Sequence, residues 1–287
     1  MIPLGVSLPV DYLCGACGIE EARLFLAAFG PAAEGLSRFK QAGVSSVELH
    51  HFTRLTAAED VERATAAVLR AGLRLTVHGY LMESLPEDGL DGCYPWLPAI
   101  LDMTRGGQDR LVITVHALAA KSGSVERLRE GTVEQLSLLA RLAADRDPRV
   151  RFALELTREK GVADPCTTWE GVESTCRRVG REDVGICWDW GHGVLNALHG
   201  YIPRDPPEGF LSRVENTHVH DISPDGKAHW PLLGGGVPAD RFVSLLRGNG
   251  YRGLFGLELN PVRFQGHGPV GPLVEGSLEA LRKLLEP

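Results

Sequence analysis

The sequence lacks the long apolar runs and the basic charge that mark several large classes of protein. Glycine, proline or charge interrupts every candidate run before the roughly 18 consecutive apolar residues that a membrane span requires, so we expect neither a span nor an anchor. The 37 acidic residues outnumber the 30 basic ones, and the net charge of −7 offers no broad basic surface for nucleic acid or an anionic membrane.

Paired cysteines are also scarce. The chain has six scattered cysteines, and only Cys14 and Cys17 have the spacing of a redox or half-zinc motif. No second pair follows at a spacing that would complete a zinc ribbon, so we interpret residues 14–17 as a loop. The amino terminus lacks the basic start and apolar core of a secretory signal. Together these features favour a reducing, cytoplasmic setting.

The composition of the sequence is that of a folded protein with a hydrophobic core. Hydrophobic residues make up 44% and charged residues 23% of the 287 positions, which argues against disorder. Eight short apolar segments recur, each with the length and composition of a strand. They lie at residues 2–8, 44–51, 73–80, 109–117, 150–157, 184–192, 214–222 and 254–261.

Segments with helical apolar spacing separate these predicted strands. Strand and helix alternate eight times with no linker or compositional break. The sequence therefore predicts one (β/α)8 barrel domain over residues 1–287, with a doubly wound open sheet as the alternative. The clearest helical segments are residues 31–43, 56–72, 124–145, 167–180 and 273–286.

Polar side chains end nearly every predicted strand. The strands of a parallel barrel end at one face, where active sites form, so we expect these side chains to converge. The alternation of side chains along a strand places Glu155 and Glu258 inside the barrel and their apolar neighbours against the helices. The strand-end residues are Glu48 or His50, His78, His116, Glu155, Asp189 with His192, His218 with His220, and Glu258.

The segment VGICWDWGHG at residues 184–193 shows this alternation clearly. Asp189 has the inward parity, whereas Trp188 and Trp190 point toward the helices. His192 follows in the loop above. Carboxylates crowded at one axis repel each other and lose hydration unless a cation relieves both costs. Mixed carboxylate and imidazole ligands suit Mn, Co or Zn better than calcium. The predicted metal ligands are Glu155, Asp189, His220 and Glu258.

Three further histidines have an open assignment. His78 and His116 either bind a second metal ion or substrate, or are hydrogen-bonded structural groups. His218 shares the inward parity of His220 but lies one pleat deeper, where it is either a second ligand or a core imidazole.

Five short motifs, taken together, resemble the xylose-isomerase-like barrel superfamily across the whole chain. That group includes sugar-phosphate isomerases, ketose 3-epimerases, inosose dehydratases and endonuclease IV. Similarity to the epimerases implies one divalent ion, Mn, Co, Mg or Zn, on the four predicted ligands, with His192 contacting substrate. It also implies a homodimer. The motifs are FALELT, VGICWDWGH, THVHDI, LLGGGVPAD and GLELN.

Such a site supports proton transfer beside a carbonyl. A metal that binds a carbonyl and an adjacent hydroxyl oxygen stabilises the enediolate formed when a carboxylate removes the neighbouring proton. Glu155 and Glu258 are predicted to exchange that proton, with His192 as the third catalytic residue. The predicted function is a metal-dependent isomerase or epimerase, or a related lyase, acting on a small sugar, sugar derivative or polyol.

A zinc phosphodiesterase is the alternative function. Endonuclease IV similarly carries histidines after its third and fourth strands to hold three zinc ions, and His78 and His116 match them. His229, a further candidate for a metal or substrate contact, matches a residue of its strand-seven loop, but Lys227 stands where an aspartate is expected. Under this alternative His192 contacts a second ion instead of substrate. The lack of a basic groove disfavours nucleic acid as a partner. A second alternative is a barrel that binds metal or ligand without turnover.

Substrate specificity is expected in the loops at residues 79–96, 196–210 and 260–272, because loops rather than strand ends shape the pocket in this fold. The glycines at 234–236 are interpreted as a turn that passes close to the site. Aromatic and arginine side chains are candidates to stack on or hydrogen-bond a ligand. They are Tyr80, Tyr94, Trp96, Tyr201, Arg204, Trp230, Arg263 and Phe264.

Overall fold

Eight parallel strands form a closed barrel in chain order, which confirms the predicted fold. The computed structural model describes residues 3–51, 53, 55–84 and 86–286. Ile2 of the first predicted strand and Leu85 of the 79–96 loop lie outside these residues. The strands are β1 (Leu4–Pro9), β2 (Ser46–His50), β3 (Arg74–His78), β4 (Leu111–Val115), β5 (Val150–Glu155), β6 (Val184–Asp189), β7 (Val214–Val219) and β8 (Phe255–Leu257).

Helices surround the barrel, and every helical segment predicted from apolar spacing is confirmed. Within the described residues, no helix is long and apolar enough to cross a membrane. Residues 14–17 follow the first short helix as a turn, as predicted. The helices are α1 (Val10–Leu13), α2 (Glu20–Phe29), α3 (Ala32–Gln41), α4 (Ala58–Arg70), α5 (Gly89–Cys93), α6 (Leu97–Met103), α7 (Val125–Arg146), α8 (Trp169–Val179), α9 (Trp190–Leu198), α10 (Glu208–Leu211), α11 (Ala239–Gly248), α12 (Pro261–Phe264) and α13 (Val270–Leu285).

The segment after β6 differs from the prediction. His192 lies in the first turn of α9 rather than in a loop, and the expected loop at 196–210 begins inside the same helix. The reason is a helix cap, because Asp189 Oδ1 accepts a hydrogen bond from the backbone N–H of His192 at 2.7 Å. Aspartate is a preferred N-cap residue since its oxygen satisfies a donor that the first turn leaves free.

The main apolar core lies between the barrel and the helices. Trp188 and Trp190 belong to it, as the strand parity predicted, and both are fully buried. The Trp188 ring packs against Phe242 of α11 with centroids 4.6 Å apart, and Trp190 lies 5.5 Å from the same ring. The outward face of β6 therefore holds the barrel to its helices.

The interior of the barrel, by contrast, carries a buried polar layer. Ser7 donates to Glu48 Oε1 at 2.9 Å. Asn216 donates to Glu48 Oε2 at 3.2 Å and to Thr114 Oγ1 at 2.9 Å. His218 Nε2 lies 2.9 Å from Glu48 Oε1. Buried polar groups persist when they find partners inside the protein, and Glu48 supplies such partners for Ser7 and Asn216. This layer lies beneath the residues that end the strands.

Candidate metal centre

The carboxyl ends of the strands enclose a cavity of about 300 Å³ in which histidine predominates. This volume is at the small end of the range for ligand pockets, which is about 300–1,000 Å³. Eight of the chain's ten histidines line the cavity or lie directly beneath it. The lining includes His50, His51, His78, His116, Glu155, His192, His229 and Glu258.

Four side chains, one from the end of β6 and three from the segments after β7 and β8, converge closely enough to share one ion. Asp189, His220, His229 and Glu258 each offer a ligand atom within 4.8 Å of the others. His220 Nε2 lies 2.9 Å from Asp189 Oδ1, and His229 Nδ1 lies 3.5 Å from Glu258 Oε2. Three of these residues belong to the predicted ligand set. Glu155, the fourth predicted ligand, lies beside this group and not within it.

Glu155 is surrounded by imidazoles. Its Oε2 lies 3.0 Å from His78 Nε2 and 3.1 Å from His116 Nε2. Its Oε1 lies 3.4 Å from His192 Nδ1. Glu155 also groups with Asp189 and His192 as a second set of candidate ligands, so the two sets share Asp189. His78 and His116 therefore contact the predicted catalytic carboxylate directly.

His218 lies below both glutamates, one pleat deeper than His220. Its Nδ1 is 3.1 Å from Glu258 Oε2 and 3.4 Å from Glu155 Oε2. These distances are short, but the ring is poorly aligned, and neither nitrogen makes a hydrogen bond within the described residues. Burial opposes its charged form, yet the thiol of Cys187 and the facing carboxylates raise the pKa of His218 well above its ordinary value. A buried positive charge thus faces both glutamates from beneath.

A glycine allows the His220 ring to occupy its position. A Cβ atom on Gly191 would lie 1.9 Å from Cε1 of His220, far inside van der Waals contact. The first turn of α9 therefore packs directly on the imidazole. With Nε2 turned toward Asp189, Nδ1 of His220 lies between two backbone groups, 2.9 Å from the carbonyl oxygen of Asp221 and 2.9 Å from the backbone nitrogen of His229. A backbone partner of this kind orients a metal-binding histidine.

His229 reaches the cluster from a constrained backbone. Its φ angle is +57°, a left-handed conformation that non-glycine residues seldom adopt. Trp230 next to it forms an antiparallel bridge with Asp221, and the carbonyl of His229 accepts from Asn260 at 3.1 Å. Lys227, two residues earlier, points away and pairs with Asp225 at 2.9 Å. Strained residues held by their surroundings often lie at functional sites.

Asp221 holds the glycine turn that follows β7, and this explains the Asp of the His-x-His-Asp motif. Its two oxygens accept from the backbone N–H groups of Ile222, Gly234 and Val237, each at 2.9 Å, and from Gly236 at 3.4 Å. The turn at 234–236 therefore wraps a buried carboxylate next to the site, in agreement with the prediction.

Electrostatics prepare the cluster as a donor set. Burial alone would raise the pKa of Glu258, but the surrounding imidazoles, His218 foremost and then His229 and His50, together hold that pKa well below the ordinary value. Burial likewise opposes ionisation of Asp189, and His192 and His220 lower its pKa. Burial lowers the pKa of His229 to about 3, so its imidazole is neutral. Burial also acts against the charged form of His220, but Asp189 raises the pKa of that imidazole, so His220 loses a proton when an ion binds. Anionic carboxylates and neutral imidazoles are the forms that bind metal.

One orphaned atom tests whether these residues fit a cation. Glu258 Oε2 is buried and has no hydrogen-bond partner in the part of the chain that the structure describes. It faces the Asp189, His220 and His229 group. His218 and His229 lie 3.1 and 3.5 Å from this oxygen but are not aligned to donate, so a bound ion would supply the missing partner. The donor set of carboxylates and imidazoles therefore fits a divalent transition metal.

The sequence analysis missed several residues around the cavity. Glu21 of α2 is buried and lies 3.1 Å from His50 Nε2 and 2.7 Å from His51 Nε2. His50 in turn places Nδ1 3.9 Å from Glu258 Oε1. Arg158 and Lys160, which follow β5, also line the cavity. The adjacent histidines at the end of β2 were a usable signal, whereas nothing in the sequence links Glu21 to them.

Most of the predicted ligand-contacting loop residues lie elsewhere. Within the described residues, Arg263 is the one member of that set that lines the cavity. Tyr94 and Trp96 are buried in the apolar core, and Phe264 is buried beside the cavity that Trp230 lines. Trp230 lines a separate, neighbouring cavity. Aromatic side chains of loops carry enough apolar area to be drawn into a core, and this explains the error.

Comparison with solved structures shows the same fold in proteins of low sequence identity. A 3-keto-D-glucoside 4-epimerase from E. coli, YcjR, matches with a TM-score of 0.65 and 15% identity, over 99% of this chain and 100% of that one. A D-allulose 3-epimerase from Methylomonas sp., solved with D-allulose, gives 0.66 and 14%, over 99% and 96%. The protein IolI, solved with a zinc atom, gives 0.59 and 14%, over 98% and 96%.

The sequence itself carries the family assignment. No curated protein matches it significantly. The sequence model of the xylose isomerase-like TIM barrel matches residues 36–284, and the chain therefore belongs to that family.

Proposed function

We propose that the protein is a divalent-metal-dependent isomerase or epimerase of a small sugar or polyol. The observation that carries this proposal is the convergence of Asp189, His220 and Glu258 at one point of the cavity, with Glu155 beside them. The fold is shared with epimerases of D-allulose and 3-keto-D-glucoside, which supports the same reaction class.

Asp189, His220 and Glu258 would hold the ion, and Glu155 and His229 flank them as candidates for the fourth ligand. A bound divalent ion supplies Lewis acidity to a carbonyl and an adjacent hydroxyl of the substrate. The residues themselves transfer the proton. Glu155 and Glu258 both approach His218 Nδ1, at 3.4 and 3.1 Å, so the two carboxylates face the same small volume from different strands.

In this arrangement one glutamate removes the proton from the carbon beside the carbonyl, and the other returns a proton to the opposite face or the neighbouring carbon. His192, at 3.4 Å from Glu155 Oε1, is placed to bind a substrate hydroxyl beside that carboxylate.

Glu155→Gln and Glu258→Gln variants test the proposal. Protein purified without added metal is expected to contain about one transition-metal ion per chain by elemental analysis. Deuterium exchange from D₂O into the carbon beside the carbonyl of ketoses, followed by NMR, is expected to fall by about 10²–10⁴ in each variant, because a general acid–base group is lost. Glu215→Gln is the control, since Glu215 pairs with Arg110 away from the cavity.

Retained circular dichroism and melting temperature establish that the variants fold. Full exchange activity in metal-free Glu258→Gln protein contradicts the proposal.

A zinc phosphodiesterase is the second candidate, and one observation favours it. His78 and His116 both contact Glu155, so these residues offer a second cation position beside the first. This function predicts two or three zinc ions per chain and nicking of a duplex that contains an abasic site. Metal content and the nicking assay therefore separate the two candidates.

A further inference from the structure

Three cations line the cavity without a carboxylate partner. Arg158 and Lys160 follow β5, and Arg263 lies in α12 after β8. None of them forms an ion pair or a side-chain hydrogen bond in the regions that the structure describes. Arginines elsewhere are held by carboxylates, such as Arg149 by Asp147 at 2.7 Å and Arg181 by Asp183 at 2.6 Å.

These cations come shortly after the proposed catalytic glutamates in the sequence. Arg158 lies three residues after Glu155, and Arg263 lies five residues after Glu258. Each of the two strand ends therefore supplies a buried carboxylate and, a few residues later, a less buried cation. We call Arg158, Lys160 and Arg263 the cationic rim.

The cationic rim is unfavourable in the free protein. Arg158 and Arg263 are both partly buried. Burial and, after it, the charge of Arg158 lower the pKa of Arg263, whereas the charges of Glu258 and Glu21 oppose that shift without forming an ion pair with Arg263. An anion placed between two partly desolvated cations stabilises both of them. Arginine binds carboxylate or phosphate through two parallel hydrogen bonds.

The floor and the rim of the cavity thus have opposite preferences. The floor carries Glu155, Asp189 and Glu258 and fits a cation, whereas the rim fits an anion. The volume of about 300 Å³ suits one small molecule that spans both. Such a molecule has neutral oxygens at one end and an anionic group at the other.

We infer that the substrate is a sugar whose end remote from the metal centre carries a carboxylate or a phosphate, bound by Arg158, Lys160 and Arg263. That the substrate is a sugar rests on the proposed function, whereas its negative charge rests on the cationic rim. The inference predicts discrimination against neutral sugars, because a neutral end leaves the rim unpaired.

Calorimetric titration tests the inference with three probes, D-fructose, D-fructose 6-phosphate and 5-keto-D-gluconate. Metal-loaded and metal-free protein are both titrated at low ionic strength. At least one anionic probe is expected to bind about tenfold or more tightly than D-fructose, since a hydrogen bond to a charged group contributes about 1.5–3 kcal/mol. The stronger of the two anionic probes identifies the anion as phosphate or carboxylate.

The variants assign the effect to the rim. Arg158→Ala and Arg263→Ala are each expected to reduce the preference about tenfold, and Arg263→Lys is expected to retain part of it, because the charge stays while the planar fork is lost. Arg252→Ala is the matched control, since Arg252 borders a different cavity together with Pro3 and Arg74.

Two results overturn the inference. One is equal binding of all three probes to the unmodified protein. The other is evidence that the anion binds the metal centre and not the rim. That evidence is a preference for the anionic probe that survives in the Arg158→Ala, Arg263→Ala double variant, or one that vanishes in metal-free protein. Binding is measured without turnover, so absence of deuterium exchange refutes the proposed function while leaving this result intact.

Discussion

Gly191 shows that a residue without a side chain determines where a functional side chain lies. The first turn of α9 contacts the His220 ring at a distance that excludes any Cβ atom. Asp189 has two roles within the same turn, since it caps α9 through the N–H of His192 and contacts His220. In the short stretch from Trp188 to His192, the tryptophans therefore pack in the core and Asp189 is both a helix cap and a candidate ligand. Gly191 leaves the space that the His220 ring occupies.

Replacing Gly191 with alanine is predicted to displace the His220 ring and weaken metal binding by about 10- to 100-fold, the usual effect of disturbing the support of a ligand. Isothermal titration with Mn²⁺, Co²⁺ or Zn²⁺ measures this. Gly248→Ala is the matched control, because Gly248 also lies in a helix and a Cβ there meets open space. Equal metal affinity in Gly191→Ala and unmodified protein would contradict the assignment of His220 as a ligand.

At the scale of elements, the segment between β7 and α11 behaves as one unit organised by Asp221. The buried carboxylate accepts four backbone N–H bonds from its own neighbour and the glycine turn. It also lies beside the bridge that constrains Trp230 and therefore His229. The carboxylate thus links the turn to the position of a candidate ligand.

Asp221→Asn is predicted to destabilise the protein by about 3 kcal/mol, because an amide nitrogen replaces an acceptor and leaves buried N–H donors unpaired. Chemical denaturation measures the change in the free energy of unfolding. Asp225→Asn serves as the control, since Asp225 is exposed and pairs with Lys227 at the surface. A change of stability no larger than that of the control would show that the turn does not depend on Asp221.

At the scale of the whole molecule, the barrel carries its polar groups inside and its apolar groups outside. The interior stacks a small apolar cluster of Val112, Ala153 and Cys187, the polar layer around Glu48, and the candidate metal centre at the mouth. The outer face supplies the main core against the helices. Closure of the barrel is what brings the groups at the strand ends to one axis.

Metal binding is therefore predicted to stabilise the whole barrel. An ion at 100 times its Kd adds about 2.7 kcal/mol to the free energy of unfolding, which raises the Tm by several degrees. Differential scanning calorimetry of chelated and Zn²⁺- or Mn²⁺-loaded protein measures this shift. Calcium is the control, because a ligand set with two imidazoles suits it poorly. An equal shift with calcium, or none with any transition metal, would refute a metal centre of this composition.

The sequence by itself determined the barrel and the inward direction of Glu155, Asp189, His220 and Glu258. Both follow from local rules, since side chains alternate with a period of two along a strand and helices repeat their apolar face every 3.6 residues. The outward packing of Trp188 and Trp190 follows from the same rule. Strand-end histidines and acids could be recognised because parallel strands end at one face.

Only the tertiary structure decided which loop residues join that face. Arg158 and Lys160 line the cavity and Glu21 contacts His50 on segments whose path no periodicity encodes, whereas the structure brings in His229 and Arg263 from among the candidates that the sequence offered. The tertiary structure also resolved the choice between Glu48 and His50 at the end of β2. Glu48 lies in the polar layer, whereas His50 reaches the cavity. Contacts between residues distant in sequence form only when the chain closes on itself, so these assignments required the assembled barrel.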